Sequence, residues 1–230
     1  MMHPKVVVII PAFNEEGSIA NVIRDIPKEY VKEIIVVNNN STDATAINAQ
    51  KAGATVLLEI NQGYGHACLK GIEYANTMDQ KPFIIVFIDG DYSDFADEIQ
   101  LLLQPIIEND MDMVIGSRAT GNREKGSMMP QQIFGNWLAT RLMKIIYGVR
   151  YTDLGPFRAI RFDKLMLMGM EDKTYGWTVE MQLKAAKQKL KIIEVPVSYR
   201  KRIGYSKVSG TLKGTIMAGY KIIYTIFKYS

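Results

Sequence analysis

Two carboxylates one residue apart follow an apolar run near the middle of the chain. Residues 82–88 have the composition of a buried strand, and Asp89 and Asp91 come directly after it. Alternate residues of an extended chain share a face, so both carboxylates can bind one ion. Oxygen ligands favour Mg²⁺ or Mn²⁺, and such ions usually take further ligands from substrate phosphates. A strand followed by an ordinary acidic turn would give the same pattern, so the motif is a hypothesis.

Two other apolar runs also end in polar residues. Residues 6–10 lead into Pro11, Asn14 and Glu15, and residues 33–37 lead into the polar stretch 38–43. In open α/β sheets, ligands bind outside the carboxyl ends of the strands, so this layout indicates a nucleotide-binding crevice. Each stretch has a structural alternative, because Asn14 or Ser41 could simply cap a following helix.

The elements around these residues alternate. Strands are predicted over 6–10, 33–37, 54–58, 82–88, 111–115, 158–161 and 191–197. Helices are predicted over 15–25, 43–52, 65–76, 96–108, 130–148, 162–170, 178–189 and 211–227. Strands that alternate with helices of this length predict βαβ units and a mostly parallel sheet. No linker-like or repetitive stretch divides the chain, which predicts one domain over residues 1–230.

Composition narrows the class of protein. The 28 Lys and Arg residues exceed the 24 Asp and Glu residues by only four, too mild an excess to indicate a nucleic-acid partner. Cys68 is the single cysteine, which excludes an internal disulfide and fits a reducing compartment. His3 and His66 are far apart, so no zinc site is expected. Neither a signal peptide nor a run of about 18 apolar residues is visible, which predicts a cytoplasmic location.

Six short motifs follow one another along the chain. They are Pro11-Ala12-Phe13-Asn14-Glu15, the loop 38–43, Asp89-Gly90-Asp91, Gly116-Ser117-Arg118, an acidic helix with Glu180, and a basic stretch ending in Arg202, Ser206 and Lys207. In this combination the chain resembles the family 2 glycosyltransferases of the GT-A fold. Within them it is most similar to the dolichyl- and polyprenyl-phosphate mannose and glucose synthases. The resemblance covers nearly the whole chain.

The resemblance implies a GT-A (nucleotide-diphospho-sugar transferase) fold, which is an α/β fold with a mostly parallel central sheet flanked by helices. Residues 1–118 would form the nucleotide-sugar-binding half, and residues 119–230 the acceptor-binding half with amphipathic helices. The donor would contact Pro11, Asn14, Glu15, Asn39, Ser41, Gly63, Asp89, Gly90, Arg118, Arg200, Arg202, Ser206 and Lys207. Asp89 and Asp91 would hold Mg²⁺ or Mn²⁺, with Asp91 also counted as catalytic. On charge alone, the basic residues could equally form a solvated face.

The chain departs from the family pattern at the donor site. Asn38 and Asn39 stand where aspartates are usual, and Tyr64 stands where a lysine is usual. An amide both donates and accepts hydrogen bonds, so a uracil base remains readable and a UDP-linked donor is expected. Gly63 would let the backbone approach the nucleotide closely, or it could belong to an ordinary turn before a helix.

Asp153 and Glu180 are the residues that would decide the acceptor. A hydroxyl acceptor needs a general base within hydrogen-bond reach, and either carboxylate could serve. A phosphate monoester is already anionic at neutral pH and needs no strong base. The Q-x-x-R-W motif of processive synthases does not follow Glu180, which predicts transfer of a single sugar.

The late helices carry apolar stripes. Ile216, Tyr220, Ile223 and Phe227 share one face of the last helix, and Trp137 lies on an earlier apolar helix. These faces could pack in the core or lie in a membrane interface. The expected activity is inverting, metal-dependent transfer of a hexose to a polyprenyl or dolichyl phosphate. The enzyme would be peripheral on the cytoplasmic membrane face, alone or with an integral membrane partner.

Three other functions remain open on the sequence. The same fold could transfer sugar to a saccharide hydroxyl, with Asp153 or Glu180 as base. A nucleotidyltransferase also joins a parallel sheet to an acidic metal site, although the first strand lacks a Gly-rich phosphate loop. The third is a protein that binds nucleotide-sugars without turnover.

Overall fold

A computed structural model describes residues 5–206 and 210–229. The strands are β1 (Val6–Ala12), β2 (Glu33–Asn38), β3 (Thr55–Leu58), β4 (Ile84–Phe87), β5 (Met113–Ser117), β6 (Arg158–Arg161) and β7 (Ile192–Pro196). The helices are α1 (Ile19–Asp25), α2 (Thr45–Lys51), α3 (Tyr64–Thr77), α4 (Ile99–Asn109), α5 (Pro130–Tyr147), α6 (Phe162–Met168), α7 (Trp177–Lys187) and α8 (Leu212–Lys228). A short 3₁₀ helix, Ala96–Glu98, precedes α4.

The seven strands form one sheet in the order β3-β2-β1-β4-β6-β5-β7. All neighbouring pairs are parallel except those of β6, which runs antiparallel to both β4 and β5. The strands are rich in Val and Ile, which suit a pleated surface covered on both faces. The predicted α/β fold with a mostly parallel sheet is therefore confirmed.

Alternate residues of the central strands enter two different cores. Val6, Val8 and Ile10 pack on one face of the sheet in a cluster that includes residues of α1 and α4. Val7 and Ile9 pack on the other face with residues of α3 and α7. A third, smaller cluster joins α5, α7 and α8 around Met143, Leu183 and Ile226. Helices α5 and α8 therefore pack to the side of the sheet, against α7, and do not cover either of its faces.

The direction of the strands decides which loops meet. Because β1, β2, β4 and β5 run the same way, their carboxyl ends share one edge of the sheet. The antiparallel β6 brings its preceding loop, residues 152–157, to that same edge. The polar residues singled out in the sequence therefore converge from both halves of the chain.

The predicted elements all occur, with shifts at their ends. The predicted helix 15–25 begins at Ile19, because Glu15 and Ser18 form a turn in which the Glu15 carbonyl accepts from the Ser18 N–H. The division into halves at residue 118 stays a prediction; β5, which ends at Ser117, pairs with β6 and β7 of the later half. Within residues 5–206 and 210–229, no helix is both long and apolar enough to span a membrane.

Candidate active site

A cavity of about 690 Å³ opens at the carboxyl edge of the sheet. Ten of the residues expected to bind the donor or metal line it: Pro11, Glu15, Asn39, Gly63, Asp89, Gly90, Asp91, Arg118, Arg202 and Ser206. Five other predicted residues lie outside its wall: Asn14, Ser41, Asp153, Glu180 and Arg200. Lys207 falls outside the described residues. The cavity combines carboxylates at the end of β4 with two guanidinium groups.

Asp89 and Asp91 face the cavity in different surroundings. Asp91 accepts a hydrogen bond from the Ser93 N–H at 2.9 Å and forms an ion pair with Arg202. Asp89 Oδ1 is buried and has no hydrogen-bond partner among the described residues. Burial and, secondarily, the Asp91 charge raise the pKa of Asp89 to about 6.

These two carboxylates fit a divalent cation. A buried carboxylate oxygen without a partner is costly unless a proton or a cation approaches it. No set of three or more His, Cys, Asp or Glu side chains among the described residues is arranged to hold a metal ion by itself. An ion at Asp89 and Asp91 would therefore take its other ligands from a substrate or from water, as Mg²⁺ commonly does.

A third acid, Asp94, lies below the pair and was not predicted. It is only 2% exposed, and neither of its carboxylate oxygens has a hydrogen-bond partner among the described residues. Burial, reinforced by the charge of Asp89, raises the pKa of Asp94 well above its usual value. The residue follows Asp91 by three positions, but no pattern in the sequence indicates that its side chain is buried.

Asp153 holds Arg118 rather than facing the cavity. Its carboxylate accepts from the Arg118 main-chain N–H and Nε at 2.8 Å and from Nη2 at 2.7 Å. Burial acts to raise the pKa of Asp153, but the Arg118 charge and hydrogen bonds keep it below its usual value. Arg118 in turn lies over the ring of Tyr199, 5.0 Å from its centroid. Asp153 is thus a positioning residue for a cavity-lining guanidinium.

Glu180 is fully buried and holds a loop. Its carboxylate accepts from the N–H groups of Glu171 and Asp172 at 2.9 and 2.7 Å. It also accepts from the Tyr229 hydroxyl and pairs with Lys184 at 2.8 Å. The loop between α6 and α7, residues 169–176, contributes Thr174 and Tyr175 to the cavity wall. Glu180 therefore stabilises the loop that forms this part of the wall, without lining the cavity itself.

Arg200 and Arg202 point to opposite sides of their segment. The Arg200 guanidinium lies over the rings of Tyr92 and Phe95, at 3.4 and 4.2 Å from their centroids. Its Nε donates to the Tyr92 carbonyl at 2.7 Å. Alternate residues of an extended segment face opposite ways, so Arg202 is the one that reaches the cavity.

Asn14 and Ser41 join two loops. The Ser41 hydroxyl accepts from the Asn14 N–H at 3.0 Å, and the Asn14 side-chain oxygen accepts from the Thr42 N–H at 2.9 Å. These bonds connect the chain after β1 to the chain after β2. Neither residue lines the cavity.

Gly63 and Gly65 are required by the protein itself. A Cβ on Gly63 would lie 2.2 Å from the Lys173 carbonyl oxygen, and one on Gly65 would lie 1.9 Å from that of Asp172. Gly63 also has φ of +149°, a backbone conformation that side chains disfavour. The start of α3 thereby packs directly against the 169–176 loop.

Five aromatic residues of the cavity wall were not predicted as site residues. Phe13, Tyr64, Tyr175, Trp177 and Tyr199 line the cavity. Phe13 stands inside the motif that contains Pro11, so its neighbours were a usable signal. Tyr64 replaces a lysine of the family motif, which was a second signal. Tyr175, Trp177 and Tyr199 look like ordinary core residues in the sequence, because aromatic residues at helix starts and strand ends are common in cores.

The similarity of this chain to known proteins identifies its family. The profile of Glycosyl transferase family 2 matches residues 7–167. An uncharacterized glycosyltransferase of Mycobacterium tuberculosis is 34% identical over 222 residues, which cover 95% of this chain and 96% of that protein. The chain belongs to glycosyl transferase family 2, as its motifs predicted.

Two further similarities bear on the fold and the subgroup. An undecaprenyl-phosphate mannosyltransferase of Micrococcus luteus is 28% identical over 224 residues, covering 91% of this chain and 90% of that protein. A crystal structure of glucosyl-3-phosphoglycerate synthase from Mycobacterium tuberculosis, with Mn²⁺, UDP and phosphoglyceric acid, superposes with a TM-score of 0.76. It covers 98% of this chain and 78% of that one at 20% identity. This likeness establishes the GT-A fold.

Proposed function

We propose that the protein transfers a hexose, with inversion, from a UDP-sugar to the phosphate of a polyprenyl or dolichyl lipid. The observation that carries the choice of acceptor is the placement of the two candidate bases. Asp153 and Glu180 lie outside the cavity wall, and their carboxylates accept hydrogen bonds from protein groups. Among the described residues, the only carboxylates on the wall are Glu15, Asp89 and Asp91. A phosphate acceptor suits such a site, because it arrives as an anion.

The donor half of the proposal rests on charge. A divalent ion held by Asp89 and Asp91 would neutralise the diphosphate of the donor as it departs. Arg118 and Arg202 add two guanidinium groups, which match phosphate oxygens in geometry. The presence of UDP and Mn²⁺ in the glucosyl-3-phosphoglycerate synthase structure supports the same pairing.

In the reaction, an acceptor phosphate oxygen attacks the anomeric carbon from the side opposite the diphosphate. The bond between that carbon and the β-phosphate oxygen breaks, and the electron pair leaves with UDP. Arg118 is held for this step by Asp153, and Arg202 is free to exchange Asp91 for a phosphate oxygen. The chain's own contribution is binding, orientation and charge stabilisation.

The lipid part of the proposal rests on the surface beside the cavity. Gln132 of α5 and Ala218 of α8 line the cavity, so it is bordered by these two helices. Both helices expose large apolar side chains: Phe134 is 61% exposed, Trp137 57% and Tyr220 64%. We infer that this surface contacts the cytoplasmic face of the membrane, directly or beside an integral membrane partner. The similarity to an undecaprenyl-phosphate mannosyltransferase supports this acceptor class.

Binding of the donor is tested by thermal unfolding with UDP and with GDP, each with and without Mn²⁺. A ligand present at one hundred times its Kd stabilises the folded state by about 2.7 kcal/mol, which corresponds to roughly 5–10 °C for a chain of this size. We expect a Mn²⁺-dependent shift with UDP that Asp91→Asn removes. Asp97→Asn is the matched control, because Asp97 is exposed and does not line the cavity. No shift with either nucleotide would contradict the donor assignment.

The acceptor is tested by turnover with UDP-hexoses and either undecaprenyl phosphate or undecaprenol. We expect transfer to the phosphate and none to the alcohol, since in the described part of the chain the cavity wall carries no carboxylate besides the proposed metal ligands and Glu15. Faster transfer to the alcohol, or to a saccharide hydroxyl, would favour the hydroxyl-acceptor alternative. Metal-dependent UDP binding without any turnover would favour a non-catalytic protein.

A further inference from the structure

Asn39 stands at the end of β2, where the family motif would have an acid beside the nucleotide base. It is 5% exposed, and its side-chain amide is already bonded to the main chain. Its Oδ1 accepts from the Gly63 N–H at 2.7 Å, and its Nδ2 donates to the carbonyls of Asn61 at 2.6 Å and Glu59 at 3.2 Å. An amide has only two N–H groups. Asn39 therefore has no donor left for a carbonyl of the base.

These bonds explain why the residue is an amide. Two main-chain carbonyl oxygens converge on Nδ2, so a carboxylate at this position would place a negative oxygen against both of them. The loop formed by residues 59–63 could then not keep its conformation. The departure from the family motif at position 39 is thus tied to the shape of this loop.

Gln62 lies within that loop, between two of the residues that Asn39 holds. It lines the cavity and is exposed, and no hydrogen bond among the described residues involves its side-chain amide. A free amide can donate to a carbonyl and accept from the adjacent N–H, which is the pattern of the imide edge of uracil. Holding Asn61 and Gly63 fixes the backbone on both sides of this amide.

We propose that Gln62 reads the imide edge of the donor base and that Asn39 is a positioning residue that holds the Gln62 loop. This inference rests on the proposed function, because it requires a nucleotide donor in the cavity. It differs from the family pattern, in which the residue at position 39 would itself contact the base.

The test compares the affinities of UDP and 3-methyl-UDP, whose imide nitrogen carries no hydrogen, by titration calorimetry with Mn²⁺. We expect the unmodified protein to prefer UDP by about tenfold, the effect of one or two neutral hydrogen bonds. In Gln62→Ala this preference should fall to near one, while Asn39 is intact. Gln100→Ala, at an exposed glutamine of α4 that does not line the cavity, should keep the full preference.

The Asn39→Asp variant distinguishes a residue that positions the Gln62 loop from one that contacts the base itself. This variant should lower the preference for UDP, because the loop is no longer held. In the Gln62→Ala background it should cause no further loss, since Asn39 acts through Gln62. If Gln62→Ala keeps the tenfold preference, the inference is overturned. Loss of the preference in Asn39→Asp alone would then show that Asn39 reads the base. If neither ligand binds the unmodified protein, the proposed donor site fails, and this inference fails with it.

Discussion

Asp89 and Asp91 are one residue apart, yet they have different electrostatic roles. Arg202 and the Ser93 N–H stabilise the Asp91 carboxylate, whereas one buried oxygen of Asp89 has no hydrogen-bond partner within residues 5–206 and 210–229. Burial without a partner disfavours the charged carboxylate, and protonation removes that charge. This is the physical reason why the pKa of Asp89 is raised to about 6. The two acids therefore differ in their surroundings: Asp91 is paired with Arg202, whereas the raised pKa of Asp89 lies just below the neutral range.

This difference predicts a pH-dependent stability. Because folding raises the pKa of Asp89 from 3.8 to about 6, the folded state binds this proton more tightly than the unfolded state. The stability contributed is fully present below about pH 3.8 and is lost as pH rises through about 6. We expect the free energy of unfolding, from urea titrations at pH 4 to 7.5, to fall relative to Asp89→Asn by on the order of 1–3 kcal/mol.

The control for this prediction is Asp97→Asn, which changes an exposed acid nearby in the chain. Its pH profile should run parallel to that of the unmodified protein. A parallel profile for Asp89→Asn as well would contradict the raised pKa of Asp89.

At the scale of elements, the loop between α6 and α7 is fixed from two sides. Glu180 binds the N–H groups of residues 171 and 172 from within α7. The start of α3 closes on the carbonyls of residues 172 and 173 from the opposite side, and the Lys173 carbonyl accepts from the His66 N–H at 3.1 Å. The loop can present Thr174 and Tyr175 to the cavity because its backbone is held on both sides.

The close approach of α3 predicts a large cost for one methyl group. In Gly65→Ala the Cβ would lie 1.9 Å from the Asp172 carbonyl oxygen, so backbone must move. We expect a loss of at least about 2 kcal/mol in the free energy of unfolding, measured by denaturant titration. Gly135→Ala is the matched control, since nothing lies within 4 Å of its Cβ in the interior of α5. That substitution should stabilise the protein by up to about 1 kcal/mol, and equal losses in both variants would contradict the close contact.

At the scale of the whole molecule, α5 and α8 both reach the cavity wall and both keep large apolar side chains exposed. Ile133, Phe134, Trp137 and Ile145 are exposed on α5, and Leu212, Ile216, Tyr220 and Phe227 on α8. Arg141 and Lys144 lie exposed among those of α5. Apolar and aromatic side chains with basic neighbours are the features of a surface that lies on anionic lipid.

This surface predicts reversible vesicle binding. Phe134→Ser together with Trp137→Ser should lower the partition of the protein onto phosphatidylglycerol-containing vesicles by about tenfold or more, since two large apolar side chains lose their burial in lipid. Co-sedimentation measures the partition. Leu167→Ser is the control, because Leu167 is 73% exposed on α6, away from α5 and α8. Unchanged partition in the double variant would contradict membrane contact through this face.

Element types and many of the residues that line the cavity could be predicted from the sequence, because periodic apolar runs and polar strand ends follow local rules. The insertion of β6 between β4 and β5 could not, since it depends on pairing between distant segments. The roles of Asp153 and Glu180 could not be predicted either. An acidic residue that binds protein groups and one that contacts a substrate give the same pattern in the sequence. Arg200 and Arg202 likewise differ only in which way an extended segment faces.

The order of strands in the sheet has a consequence for how the protein is made. Strands β1 to β4 can pair as soon as they leave the ribosome, but β5 has partners only in β6 and β7. The contact between Arg200 and Tyr92 spans 108 residues. At the usual rate of synthesis this gap lasts roughly 5–20 s. For that interval the acids near Tyr92 are not yet covered by the Arg200 segment, and for its first part, until β6 is made, the edge of β4 is open as well. This is when chaperone protection matters most.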